Sequence, residues 1–308
     1  MTHSCPKHVL TERSPIAANH FPIALSVNFP WILAAITLAI ILLAGSPSRG
    51  GGLGIPTQRV GLGFGNLEEF SGLRFNFSDR NINSMTGLHF TLWSPKDNDS
   101  ALYDGLSVGL VGTTGDRFRG IAIGGVGIGA QKITGLAIGG IGVGADDVTG
   151  AVAGLVGVGA DKITGFAFAG VGVGVDDITG IAIGGVGVGG NDITGIAIGG
   201  VGVGGENLTG ILLGGIGVGG SSITGLAVGG AVGAERMEGA CLSLAYLKGI
   251  SMTGVGTGAY TNLEHAKGLT IGIFNRAQVL EGVQIGLLNY AGNNPAATRW
   301  TPGINCHF

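Results

Sequence analysis

Over residues 105–238 apolar positions follow a fixed rule: they alternate with small residues, break at a Gly-Gly pair, alternate again and end in a polar turn. The unit "ITGIAIGGVGVGGND" at 178–192 is clear. Ile181 and Ile183 fall on one side and Ala182 on the other. After Gly184-Gly185, Val186 and Val188 share a side with Gly187 and Gly189 opposite, and Gly190-Asn191-Asp192 supplies the turn. Period-two alternation belongs to strands, and the density of glycine and β-branched residues opposes helix. The pattern predicts two short strands per unit, joined by a Gly-Gly corner.

The unit recurs at a spacing of fifteen. Thr134, Thr149, Thr164, Thr179, Thr194, Thr209 and Thr224 form one column, each followed by glycine. The frame extends back to Gly120 and Gly105, and Gly72 to Gly87 has the same spacing. Strict self-similarity of this kind marks a repeat architecture. The expected fold is therefore all-β, a β-solenoid of about 15-residue coils. Backbone groups would pair between coils about 4.8 Å apart. The largest side chains set the expected interior: Ile181, Ile183, Val186 and Val188 inside, with Gly and Ala outside. In that reading Ala151 and Ala153 are compensated within the core by Phe166 and Phe168 of the next coil. The outer surface would then be nearly free of side chains. Gly142, Gly144, Gly157, Gly159, Gly172, Gly174, Gly187, Gly189, Gly202, Gly204, Gly217 and Gly219 form the expected interaction face, open to self-association or to a surface partner.

The flanks divide the chain further. Residues 1–46 read as an export signal or membrane-anchor helix. The uncharged run Trp31–Ala44 has the length of a signal core, Lys7 and Arg13 precede it, and Ala44, Gly45 and Ser46 follow. Residues 47–104 read as an N-terminal capping β region, 105–238 as regular repeats and 239–292 as irregular coils; 293–308 form a Pro-bearing tail expected to fold over the last coil. The remainder is expected to be exported, touching membrane only through the N-terminal segment.

Composition narrows function mainly by exclusion. Glycine numbers 65 against 9 proline, charged residues are 11% and hydrophobic ones 45%, which fits neither a polar linker nor collagen. A net charge of −3 gives no nucleic-acid footprint. His89, His265 and His307 are scattered, without a nucleophile or carboxylate at a recognisable spacing, so the chain reads as non-enzymatic, with no cofactor or metal. "GVGVGG" at 185–190 and 200–205 and "GIGVGG" at 215–220 match a dinucleotide fingerprint in letters only, because they precede no helix. The acidic turn column (Asp146, Asp161, Asp176) raises calcium and the Thr column raises ice binding; a solvated turn row accounts better for the first and local turn chemistry for the second. Pairing of Cys241 with Cys306 stays open.

Three stretches carry a resemblance. "GLRFNFSDRN", "GLHFTLWSPKDN" and "GLTIGIFNRAQVLEGVQIGLLNYAGNN" with the closing "PGINCHF" resemble an uncharacterised group of bacterial surface repeat-containing proteins. The resemblance implies an exported surface protein and carries over no site residues. The expected function is a rigid spacer or an adhesive or assembly scaffold at the cell surface. The alternative is an outer-membrane β-barrel ending on Phe308. Against it stand apolar segments of four to five residues, where a membrane strand needs about 9–11.

Overall fold

The computed structural model describes residues 51–308, so the expected leader at 1–46 lies outside the described residues. Among the described residues thirteen strands follow in chain order. They are β1 (Leu53–Pro56), β2 (Val60–Phe64), β3 (Glu69–Asn76), β4 (Ser84–Thr91), β5 (Leu102–Gly109), β6 (Gly112–Gly124) and β7 (Gly127–Gly139). Then come β8 (Gly142–Gly154), β9 (Gly157–Ala169), β10 (Gly172–Gly184), β11 (Gly187–Gly199), β12 (Gly202–Ala291) and β13 (Trp300–His307). The order in the sheet is the order in the chain, and pairing is parallel from β2 to β12. Within the regular stretch each residue pairs with the one fifteen positions on, as in Val173↔Val188 and Ile178↔Ile193. This is a β-solenoid. It is not a barrel: the ladder runs linearly and ends in antiparallel pairs, β1 on β2 and β13 on the end of β12.

Each coil has two paired runs, such as Gly187–Gly190 and Asp192–Gly199. The second run bends at Gly195, where φ is +132°. A coil therefore has three sides, each centred on an inward residue: Val188, Ile193 and Ala197, all buried. Two constraints place glycine at the bend. Its φ lies where side chains are strained, and a Cβ there would overlap the Gly180 carbonyl oxygen of the preceding coil. The same pair of constraints holds from Gly61 through Gly282, even where coils shorten to fourteen residues between Gly225 and Gly239. The Thr-Gly column of the sequence is this bend.

The expected interior is corrected on its third side. Ala182 is fully buried, whereas Ile181 is 37% exposed, Val186 48% exposed and Ile183 half-buried. The pleat runs unbroken from Ile178, which is inward, so Ala182 and Gly184 follow it inward and the isoleucines face out. Size did not set the phase because the walls converge here: a Cβ on Gly184 would run into the Gly187 backbone. Ala151, Ala153, Phe166 and Phe168 thus lie on the outside, Phe166 at 38% and Phe168 at 40% exposure. They do not compensate one another within the core.

The two ends carry polar interiors. At the N-terminal end Arg74 and Asp79 form a buried ion pair, and Arg74 also donates to the Leu67 carbonyl at 3.1 Å. Asp79 further accepts from Asn76 at 2.7 Å, Thr91 at 2.8 Å and the Tyr103 hydroxyl at 2.9 Å. At the other end Thr261 donates to Asn275 at 2.8 Å and Asn275 to Asn289 at 2.8 Å; Asn289 reaches the carbonyls of Thr301 and Gly303 in β13. Within the tail, β13 pairs antiparallel with the end of β12, and this amide ladder ties it down.

His89 is stacked into the inward column between Arg74 and Ser107. It is 1% exposed, and neither ring nitrogen has a hydrogen-bond partner. Burial first, and the Arg74 charge second, push its pKa down to about 4, with Asp79 opposing. The folded state therefore holds the neutral ring, and its stability from this group is complete above the unfolded value of about 6.5. As pH falls toward 4 the unfolded chain takes up the proton first and stability is lost, by about 2 kcal/mol at pH 5. Urea titrations at pH 5 and pH 7 should show this loss, and His89→Gln should remove most of the difference.

Candidate interaction surface

The three sides of the coil give the rod three outer faces of different chemistry. The first carries the glycine positions. Val143, Val158, Val173, Val188, Val203 and Val218 point inward, which leaves the residues on either side of each valine pointing out. Gly142, Gly157, Gly172, Gly187 and Gly202 stand in register, as do Gly144, Gly159, Gly174, Gly189 and Gly204. Gly217 and Gly219 extend the two rows, with ideal Cβ positions on Gly202 and Gly204 lying 3.1 and 3.8 Å from their carbonyl oxygens. None of the twelve is buried, and a Cβ on Gly144 or Gly174 would meet open space. The structure thus brings the sequence-derived set together on one face. That face ends abruptly in stacked rings: Tyr246 on Tyr260 at 5.4 Å, Tyr260 on Phe274 at 5.2 Å and Phe274 on Trp300 at 5.8 Å.

The second face is polar. Thr134, Thr149, Thr164, Thr179, Thr194 and Thr209 are exposed and in register. Beside them runs the column Lys132, Asp147, Lys162, Asp177, Asp192, Asn207. Opposite signs on successive rungs relieve the repulsion that stacked carboxylates would otherwise suffer. Asn207 continues the relief by donating to Asp192 at 2.7 Å. Among the described residues no group of three His, Cys, Asp or Glu side chains is placed to hold a metal.

The third face was missed by reasoning from the sequence. It carries two aliphatic columns, one and three positions after the bend glycine. The first runs Leu106, Ile121, Leu136, Ala151, Phe166, Ile181, Ile196, Ile211, and the second Val108, Ile123, Ile138, Ala153, Phe168, Ile183, Ile198, Leu213. Phe64, Phe75 and Phe90 extend the second column toward the N-terminus as a stack with centroids 6.0 and 5.3 Å apart. Corner residues Val126, Ile141, Val156, Val171, Val186 and Val201 widen the strip, each 45–55% exposed. The signal was present in the sequence: counting the pleat from the apolar residue before each Thr-Gly puts these columns outside.

The irregular coils hold a groove of about 600 Å³ lined by Glu235, Lys248, Glu264, His265 and Arg276. It opens at the corner beside the glycine face and gathers mixed charges without a thiol. Cys241 is buried in the inward column, where desolvation pushes its thiol up to about 11, and Cys306 lies exposed on β13; both are free thiols. No protein-family model, curated protein or solved structure matches the chain.

Proposed function

We propose that the protein is an exported, non-enzymatic scaffold: a rigid rod that works at the bacterial cell surface as a spacer or assembly element. The observation that carries the reading is the uniformity of the faces. One coil geometry repeats in register from β6 to the start of β12, so over that stretch each face presents one chemistry along its length. Such a surface suits binding to another extended, repetitive object better than it suits gripping a small molecule. The apolar run Trp31–Ala44 with its upstream cations, and the resemblance of both ends to surface repeat proteins, support export.

Within this reading the glycine face is where a partner's backbone approaches, because nothing projects from it to keep the partner away. Gly189, Gly204 and Gly219 leave room for a side chain, the nearest atoms to an ideal Cβ lying 4.0, 3.8 and 3.7 Å away. Replacing all three with lysine should leave the rod folded by circular dichroism and abolish assemblies larger than a pair in sedimentation and negative-stain microscopy of the full chain. Lysines at Thr164 and Thr179, on the polar face, should leave those assemblies intact. Assemblies unaffected by the glycine-face substitutions would remove that face from the reading.

A further inference from the structure

The aliphatic face is too large to be incidental. From the bend at Gly61 to that at Gly282 there are sixteen rungs, which at about 4.8 Å each make a strip roughly 77 Å long. Three alternate positions across it span about 13 Å, giving on the order of 1,000 Å². The largest apolar patch on an ordinary monomer is about 300–600 Å², and a stable interface buries about 800 Å² on each partner. The strip is already the size of one side of a dimer.

Its relief says what covers it. At the positions one, three and five after the bend, one rung carries Ala151, Ala153 and Leu155, and the next carries Phe166, Phe168 and Gly170. A depression beside a bulge is paired with a bulge beside a depression. We propose that this face binds a second copy of the chain, antiparallel, about a two-fold axis that lies in the interface and passes between these two rungs.

That rotation keeps each column facing itself and reverses the order of the rungs. Ala151 then meets the partner's Phe166, Ala153 the partner's Phe168, and Leu155 the partner's Gly170. The parallel alternative sets each rung against its own copy, Phe166 against the partner's Phe168 and Ala151 against the partner's Ala153, which overpacks one layer and leaves its neighbour hollow. The antiparallel axis also falls near the middle of the strip. Seven rungs from Leu62 to Ala151 lie on one side and meet seven from Phe166 to Val255 on the other, with only the last two unmatched.

A second feature fits the same rotation. Leu92 and Leu110 project at 53% and 67% exposure, five positions after their bends. The rotation carries them onto the partner's Gly230 and Gly215. Those glycines line an apolar groove of about 530 Å³ walled by Leu213, Val228 and Leu244. Along the polar rim Arg119 faces the partner's Thr194 and Asp104 the partner's Thr209, so neither charge meets one of its own sign. The inference rests on the rod geometry and not on export or the glycine face.

Sedimentation velocity on the full chain tests it. The wild-type protein should sediment as a dimer. Ala151→Phe with Ala153→Phe should give monomer, since phenylalanines then meet phenylalanines. Adding Phe166→Ala and Phe168→Ala to that variant exchanges bulge and depression and should restore the dimer, which a mere folding defect would not do. Cross-linking fixes the orientation in a Cys5→Ser/Cys306→Ser background. Ile121→Cys protein mixed with Ile196→Cys protein should join through a short bismaleimide, and Ile121→Cys alone should not, since its two copies then lie five rungs, about 24 Å, apart along the rods. A wild-type monomer overturns the proposal, as does a monomer that floats with phosphatidylcholine vesicles through this face. A dimer that survives Ala151→Phe/Ala153→Phe and is lost on lysine substitution of Gly189, Gly204 and Gly219 also overturns it, and would transfer pairing to the glycine face.

Discussion

Gly195→Ala should unfold the middle of the rod, whereas Gly189→Ala, six positions earlier, should leave stability unchanged or slightly raised. Gly195 has φ +132°, and a Cβ there would overlap the Gly180 carbonyl oxygen, an atom fixed in the ladder. The strained backbone alone costs about 1–3 kcal/mol, and the collision with main chain cannot be relieved by a side-chain rotation. A total loss above about 4 kcal/mol is expected. At Gly189 the nearest atom to an ideal Cβ is 4.0 Å away and φ lies outside the strained range, so alanine mainly restricts the unfolded chain and adds about 0.4–1 kcal/mol. A solenoid need not unfold in one step. Hydrogen exchange resolved by coil is therefore the better measurement. Gly195→Ala should lose protection first in β10, β11 and the start of β12, while Gly189→Ala should match wild type throughout. Equal effects of the two would mean that the bend does not control the stack.

Asp79→Ala carries the second large effect, at the N-terminal end. Asp79 is 1% exposed and Arg74 0%, so removing the carboxylate leaves a guanidinium buried without its counter-charge. Asn76, Thr91 and Tyr103 lose their acceptor in the same step. Breaking a buried pair on one side costs about 3–5 kcal/mol. Burial, the first cause that holds the Tyr103 phenol far above its usual range, persists without Asp79 and keeps that tyrosine from taking over the negative charge. The double substitution Arg74→Met/Asp79→Ala should be less harmful than Asp79→Ala alone, because no uncompensated charge remains. Urea unfolding of the wild type, both single variants and the double variant would measure that coupling. Additive losses would show that Arg74 finds another partner or reaches water.

Much of the architecture was legible before the structure, for a reason particular to this chain. Seven Thr-Gly dipeptides at a spacing of fifteen leave little but a stacked coil, and the register Thr179↔Thr194 is the repeat itself. The glycine face was legible as well, since Val188 between Gly187 and Gly189 fixes which side is bare. The interior was misread on its third side because hydrophobic size is a poor guide where two walls meet. Ala182 and Gly184 are inside, and Ile181 and Ile183 outside, since the pleat running from Ile178 requires it, and at Gly184 a Cβ would also run into the Gly187 backbone. The polar end layers were not visible either. Arg74, His89 and Gln284 occupy positions that alanine, valine or leucine fills in the middle coils, and only the stacking shows that they share a column with Ala182.

The antiparallel strands at the two ends have a consequence for how this molecule changes over generations. β1 and β13 are four and eight residues long, and each seals a ladder that would otherwise offer an incoming chain a fresh parallel edge. Length is thus a counted quantity written in the gene. Duplicating any fifteen-residue unit between the seals lengthens the rod by one step of about 4.8 Å and leaves every column aligned. A deletion of three or four residues would instead rotate everything downstream around the coil. Near-identical tandem units are where copying slips, and here the slip comes in the one increment the fold can absorb.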